Sequence, residues 1–194
     1  MPTARQGAAV VGYQSMLIVV RGNGKVEGKW TILATTELLD TTNGCWYICD
    51  DLPVAHHQLR FTVMANCLYL LGGYHKNKPS PQVFTVSLDN LSSHQLKWQS
   101  FPDTPRCCSA PVVLYDKFLC IVGGRQTTTT EVGAKTTKVC AFNPSNGLWQ
   151  QITNIPAAGS FPAVVGVVDN KIIVLGGLTQ QNVYSNKVLV GLLL

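Results

Sequence analysis

The sequence is short of charge. Asp, Glu, Lys and Arg make up 13% of its 194 residues, and no run of five like charges occurs. The formal net charge of +5 is scattered along the chain. That is a mild bias towards acidic partners and not the footprint of a nucleic-acid binder. Long hydrophobic runs are missing too, since none approaches the roughly 18 apolar residues of a membrane helix. The stretch MLIVV (16–20) is preceded by Gln14 and Ser15 and closed by Arg21, which is a poor signal-peptide core. No phosphate loop is present, because neither GxxxxGK[ST] nor a GxGxxG opening a helix follows any glycine pair. Metal-ligand spacing is absent as well. Of the seven cysteines, Cys45 and Cys49 are four apart, Cys107 and Cys108 are adjacent, and no His stands at ligand distance from either pair. An odd number of cysteines, most of them in strand-like segments, reads as free buried thiols in a reducing compartment. The expectation is a cytoplasmic protein with no nucleic acid, membrane, metal or cofactor among its ligands. A hydrophobic content of 46% excludes disorder, and the length suffices for a sizeable core.

What the chain does have is a beat. The segments YLLGG (69–73), CIVGG (120–124) and VLGG (174–177) are apolar runs closed by a glycine pair, and VVRG (19–22) is a degenerate fourth. Their last glycines, Gly22, Gly73, Gly124 and Gly177, are spaced by 51, 51 and 53 residues. Trp46, Trp98 and Trp149 follow the first three markers by 24, 25 and 25 residues. Each repeat reads as four short strands. The third runs from APVVLY through Asp116-Lys117 to FLCIV, then to TKVCAF, a turn at NPSNG, and LWQQI. Nearly continuous apolar runs such as KIIVL (171–175) suit strands covered on both faces. Asn43-Gly44 and Asn146-Gly147 mark the hairpin before the last strand. The glycine pairs themselves are a structural device, permitting unusual φ and close backbone approach where the second strand leaves the blade.

A period near 50 residues is the signature of kelch-type propeller blades. The Gly-Gly strands, an Asp or Asn six residues before a Trp (Asp40 and Trp46, Asn143 and Trp149), and a Pro with a following Arg (Pro2 and Arg5, Pro105 and Arg106) together resemble the kelch-repeat β-propeller family, whose fold is like the central domain of galactose oxidase. The resemblance implies an all-β propeller region with blades at about 2–53, 54–103, 104–156 and 157–194. Three of these have four strands, and the fourth has three. Kelch propellers usually close with six or seven blades, so the resemblance also implies a piece of a larger ring, with the missing blades of the same propeller as partners.

For function, the leading expectation is a non-catalytic protein-interaction module, in the manner of kelch substrate adaptors of ubiquitin ligases. Loops after the glycine pairs and between blades emerge at one end of a meander. Here they carry Arg5, His56, Tyr74, His75, Arg106 and Arg125, with His57 and Lys76 nearby. A guanidinium grips a carboxylate with two hydrogen bonds, so the expected ligand is a protein or peptide with acidic side chains. The alternative is a propeller enzyme of galactose-oxidase or sialic-acid-processing type. That chemistry needs convergent His and Tyr ligands, or an Arg triad with a Tyr nucleophile, and the His and Tyr residues fall at unrelated blade positions. A third reading is a cytoskeletal scaffold that binds actin through the blade rims. The Thr-rich stretch RQTTTTEVGAKTTK (125–138) reads as a mobile, low-complexity loop, and the three repeat tryptophans read as core.

Overall fold

The computed structural model describes residues 1–192 except 57–58, 76–77, 90, 106–109, 116, 128–131, 144 and 160–163. The first blade is the antiparallel meander β1 (Ala9–Tyr13), β2 (Met16–Val26), β3 (Lys29–Asp40) and β4 (Trp46–Cys49). In the second, β5 (Arg60–Met64) and β6 (Cys67–Leu71) are followed by a small hairpin, β7 (Tyr74–His75) with β8 (Lys78–Pro79). The blade then resumes with β9 (Val83–Ser87) and β10 (Gln99–Phe101). The third blade has the same plan. Strands β11 (Val112–Tyr115) and β12 (Phe118–Val122) precede the hairpin β13 (Arg125–Thr127) with β14 (Val132–Lys135), and β15 (Lys138–Asn143) and β16 (Leu148–Asn154) complete the sheet. The fourth sheet is β17 (Val164–Val168), β18 (Lys171–Leu175) and β19 (Val188–Leu192). Among the described residues the only helix is a 3-10 turn at Leu91–Ser93, so none is long and apolar enough to cross a membrane. The fold is the expected all-β propeller arrangement, three sheets of four strands and one of three.

The first strands line the axis, because β1 meets β5, β5 meets β11 and β11 meets β17. Apolar cores fill the seams between blades. Ile18, Val20 and Leu38 of the first blade bury against Leu68, Leu70 and Phe84 of the second. Tyr69 and Leu71 meet Leu119, Ile121 and Phe142 at the next seam, and Cys120, Val122 and Val139 meet Ile172 and Val174 at the third. An interior β6 or β12 is therefore covered on both sides, which explains its uninterrupted apolar run. Burying each such side chain stabilises the seam by about 1.5–3 kcal/mol.

The glycine pairs do what their chemistry suggests. Gly72, Gly123 and Gly176 have φ of 66°, 60° and 66°, and the glycines after them 82°, 88° and 96°. In the first blade Arg21 takes the same left-handed conformation at 53°, followed by Gly22 at 118°. The turn before the last strand also has a plain cause. Asp40 caps it by accepting from the Thr42 N–H at 2.8 Å, and Asn143 does the same for the Ser145 N–H at 2.9 Å. Gly44 and Gly147 close it at φ 72° and 71°. The tryptophans differ from expectation. All three are half-buried rather than core. The Trp98 indole N–H donates to the Asp50 carbonyl of the preceding blade, and that of Trp149 to the Pro102 carbonyl, both at 3.2 Å. Trp98 and Trp149 so tie the last strand of their blade to the blade before it.

Candidate functional site

Each glycine pair launches an arm. In the first blade β2 and β3 continue past Gly22 as a hairpin that turns at Glu27-Gly28, where φ is 50° and 79°. In the second and third blades the arms are β7–β8 and β13–β14, and in the fourth Leu178 bridges to Tyr184. All four leave from the end of a second strand, so the alternating strand directions set them at the same end of their blades. Within the stretch expected to be a mobile loop, Arg125–Thr127 and Val132–Lys135 pair as a short antiparallel hairpin with a register shift between Arg125 and Thr127. Residues 128–131 lie outside the described residues.

The sequence-derived contact residues separate into two groups. Arg5 does not face solvent. Its guanidinium pairs with Glu37 at 2.5 Å, both side chains being 1% exposed, and it donates to the carbonyls of Arg21 at 2.9 Å and Thr35 at 3.0 Å. His56 is fully buried with its ring centroid 5.9 Å from that of Phe84. Both therefore serve blade packing. Tyr74 is half-buried on its arm. His75 belongs to the same arm, but its side chain lies outside the described residues, as do Arg106, His57 and Lys76 altogether. Arg125 is partly exposed on β13, and its terminal N–H reaches the Asn182 side-chain oxygen at 3.2 Å.

Arg125 has a partner that the sequence did not reveal. Lys135 stands opposite it in the β13–β14 register. Its ammonium donates to the Thr179 carbonyl and, at 2.8 Å, to the same Asn182 oxygen. The Gln180 side-chain amide donates to the Lys135 carbonyl at 3.0 Å, tying the fourth arm to the third. Burial, and then the neighbouring Arg125 charge, hold the Lys135 ammonium below its usual pKa. Beside the contact lies a cavity of about 310 Å³ lined by Thr179, Gln180, Gln181, Ser185, Lys187 and Leu189, among others. The ten-residue spacing from Arg125 to Lys135 was the available signal, hidden by the run of threonines between them.

The rest of the titratable chemistry is quiet. Cys45, Cys49, Cys67, Cys120 and Cys140 are free thiols. Burial pushes the Cys120 thiol up to about 12, and burial with the nearby Asp50 charge pushes Cys49 up to about 11. Buried thiols with raised pKa are poor nucleophiles. Among the described residues no group of three His, Cys, Asp or Glu side chains is arranged to hold a metal ion.

The profile of the KLHDC2/KLHL20/DRC7 kelch-repeats domain matches residues 1–177. The chain is 26% identical to Kelch-like protein 15 of Mus musculus and of Homo sapiens over 170 residues, covering 80% of this chain and 28% of each relative. The Danio rerio protein of the same name is 25% identical over the same length. The chain thus spans under a third of these curated relatives. A solved structure titled "Structure of YjhT" superposes with a TM-score of 0.73 at 12% identity, over 98% of this chain and 67% of that one.

Proposed function

Since the chain belongs to the kelch-repeat domain family, we propose that it is a non-catalytic protein-interaction module that binds an acidic peptide on the end carrying the four arms. The observation that carries this reading is the charge of the arms. In sequence the arms carry Lys25, Lys29, Lys76, Lys78, Arg125, Lys135 and Lys187 against two acids, Glu27 and Glu131. A surface of one sign steers a partner of the other and selects against like-charged competitors. Tyr74 and the exposed Trp30, whose ring lies 5.6 Å from the Lys25 ammonium, supply aromatic anchors of the kind enriched in interaction hot spots. Adaptor function within a ubiquitin ligase and a cytoplasmic location belong to the same reading, the latter supported by the five free thiols.

The test is a fluorescence-anisotropy titration of the full chain with a labelled hexapeptide containing three Glu, against the same peptide with Gln in their place. The Glu peptide is expected to bind more tightly, and the preference to vanish near about 0.5 M salt. Arg125→Ala is expected to reduce the preference by up to about fivefold, as befits a partly exposed charge. Equal affinity for the two peptides at low salt would overturn the proposal.

A further inference from the structure

Two cations of the third arm share one neutral acceptor. The Arg125 guanidinium and the Lys135 ammonium converge on the side-chain oxygen of Asn182, at 3.2 and 2.8 Å. Like charges repel, and Lys135 is 94% buried, with only 6% of its surface exposed. A carboxylate in the same place would add a full opposite charge to these hydrogen bonds, which a neutral amide oxygen lacks. The geometry is that of a carboxylate subsite with an amide standing in it.

The stand-in is carried on a small turn of its own. The Asn182 N–H donates to the Thr179 carbonyl and the Thr179 N–H to that of Val183, each at 3.0 Å, and Asn182 itself sits at φ 60°. Val183 and Tyr184, which follow, are 60% and 88% exposed. The turn keeps these two hydrogen bonds of its own, and moving it off the third arm breaks four others: those of Lys135 to Thr179 and Asn182, of Arg125 to Asn182, and of Gln180 to the Lys135 carbonyl. The cavity beside it opens along the same residues.

We propose that Asn182 is an internal ligand mimic: its amide oxygen occupies the anion subsite formed by Arg125 and Lys135, and a carboxylate of the partner peptide displaces it. This inference rests on the acidic-peptide reading and adds to it a position and a gate. The fourth arm thereby sets the threshold for binding on the third.

The experiment is the same peptide titration on two variants of the full chain. Asn182→Gly removes the amide while suiting the left-handed backbone. Asn182→Asp installs a permanent carboxylate. The Gly variant is expected to bind the Glu peptide about three- to tenfold more tightly, the gain from one neutral hydrogen-bonding group no longer competing. The Asp variant is expected to bind it at least about tenfold more weakly and to melt at a higher temperature, since it closes a charge-assisted contact. Thermal melts of all three proteins establish that each is folded. Equal affinity in the three, or weaker binding by Asn182→Gly, overturns the gate. If Arg125→Ala loses the Glu preference while Asn182→Gly changes nothing, the gate falls and the acidic-peptide reading stands. If neither the parent nor Asn182→Gly shows a Glu preference, the acidic-peptide reading falls and the gate with it.

Discussion

One slot in the first blade holds an ion pair, and the matching slot in the second holds two rings. Arg5 and His56 each lie four residues before the residues, Ala9 and Arg60, that open the first strands. Glu37 and Phe84 each face the residue three before the marker glycine, Val19 and Leu70. The backbone has offered the same place twice, and the sequence has filled it with opposite chemistry. The polar version leaves loose ends. Glu37 Oε2 and Arg21 Nε are both buried with no hydrogen-bond partner among the described residues. A buried ion pair is weak evidence for stability, because desolvating two charges offsets most of their attraction. Removing one partner is another matter, since it strands a charge.

The largest expected effect tests that asymmetry directly. Glu37→Leu alone leaves the Arg5 guanidinium buried without its carboxylate and is expected to cost about 3–5 kcal/mol in urea unfolding. The double variant Arg5→Met with Glu37→Leu removes both charges from the slot, as in the second blade, and is expected to recover most of the loss. A double variant no better than the single would break the equivalence of the two slots.

The glycine markers come next. A Cβ on Gly124 would stand 2.6 Å from the Ala110 Cβ at a φ of 88°, so Gly124→Ala is expected to cost about 2 kcal/mol. Its counterpart Gly22 has its nearest atom at 3.1 Å. Gly22→Ala is expected to cost less, and the order of the two unfolding midpoints checks it.

A smaller difference separates the tryptophans. Trp98→Phe removes the bond to the Asp50 carbonyl and is expected to cost about 1 kcal/mol. Trp46 makes no such bond among the described residues, so Trp46→Phe is expected to be nearly neutral. Equal losses would mean that the indole N–H does not pin the seam.

The smallest effect has the opposite sign. Arg21 occupies, at φ 53°, a position where the other three blades have glycine. Arg21→Gly relieves that strain and is expected to stabilise by about 0.5–1 kcal/mol. A loss would show that the buried guanidinium holds the seam through its stem.

The blade plan was legible because it rests on local chemistry. Glycine pairs, capped turns and doubly covered strands leave marks at fixed spacing, and Gly72-Gly73 reads the same wherever it stands. The site was less legible because burial is a property of neighbours. Arg5 and His56 were read as surface residues, since nothing local shows that Glu37 or Phe84 lies across the sheet from them. Lys135 was passed over because the threonines before it suggested a loose loop, and Asn182, 47 residues further on, carries no mark at all. The tryptophan register was read correctly but its role was not, because the acceptors lie 47 and 48 residues upstream, in another blade.

The arms hang from the blades by two left-handed residues each, and this decouples their length from the sheet that bears them. The first arm continues β2 and β3 past a register shift between Val20 and Gly22, the second is a two-residue ladder, and the fourth a single bridge, yet the blade strands before each hinge stay paired. Doubling the length of a flexible connection costs only about 0.6 kcal/mol in closure entropy. Insertions at these hinges are therefore close to neutral for folding while they redraw the contour that a partner meets. Such a surface can diverge quickly in evolution under a conserved skeleton, so sequence identity in the strands says little about shared ligands at the arms.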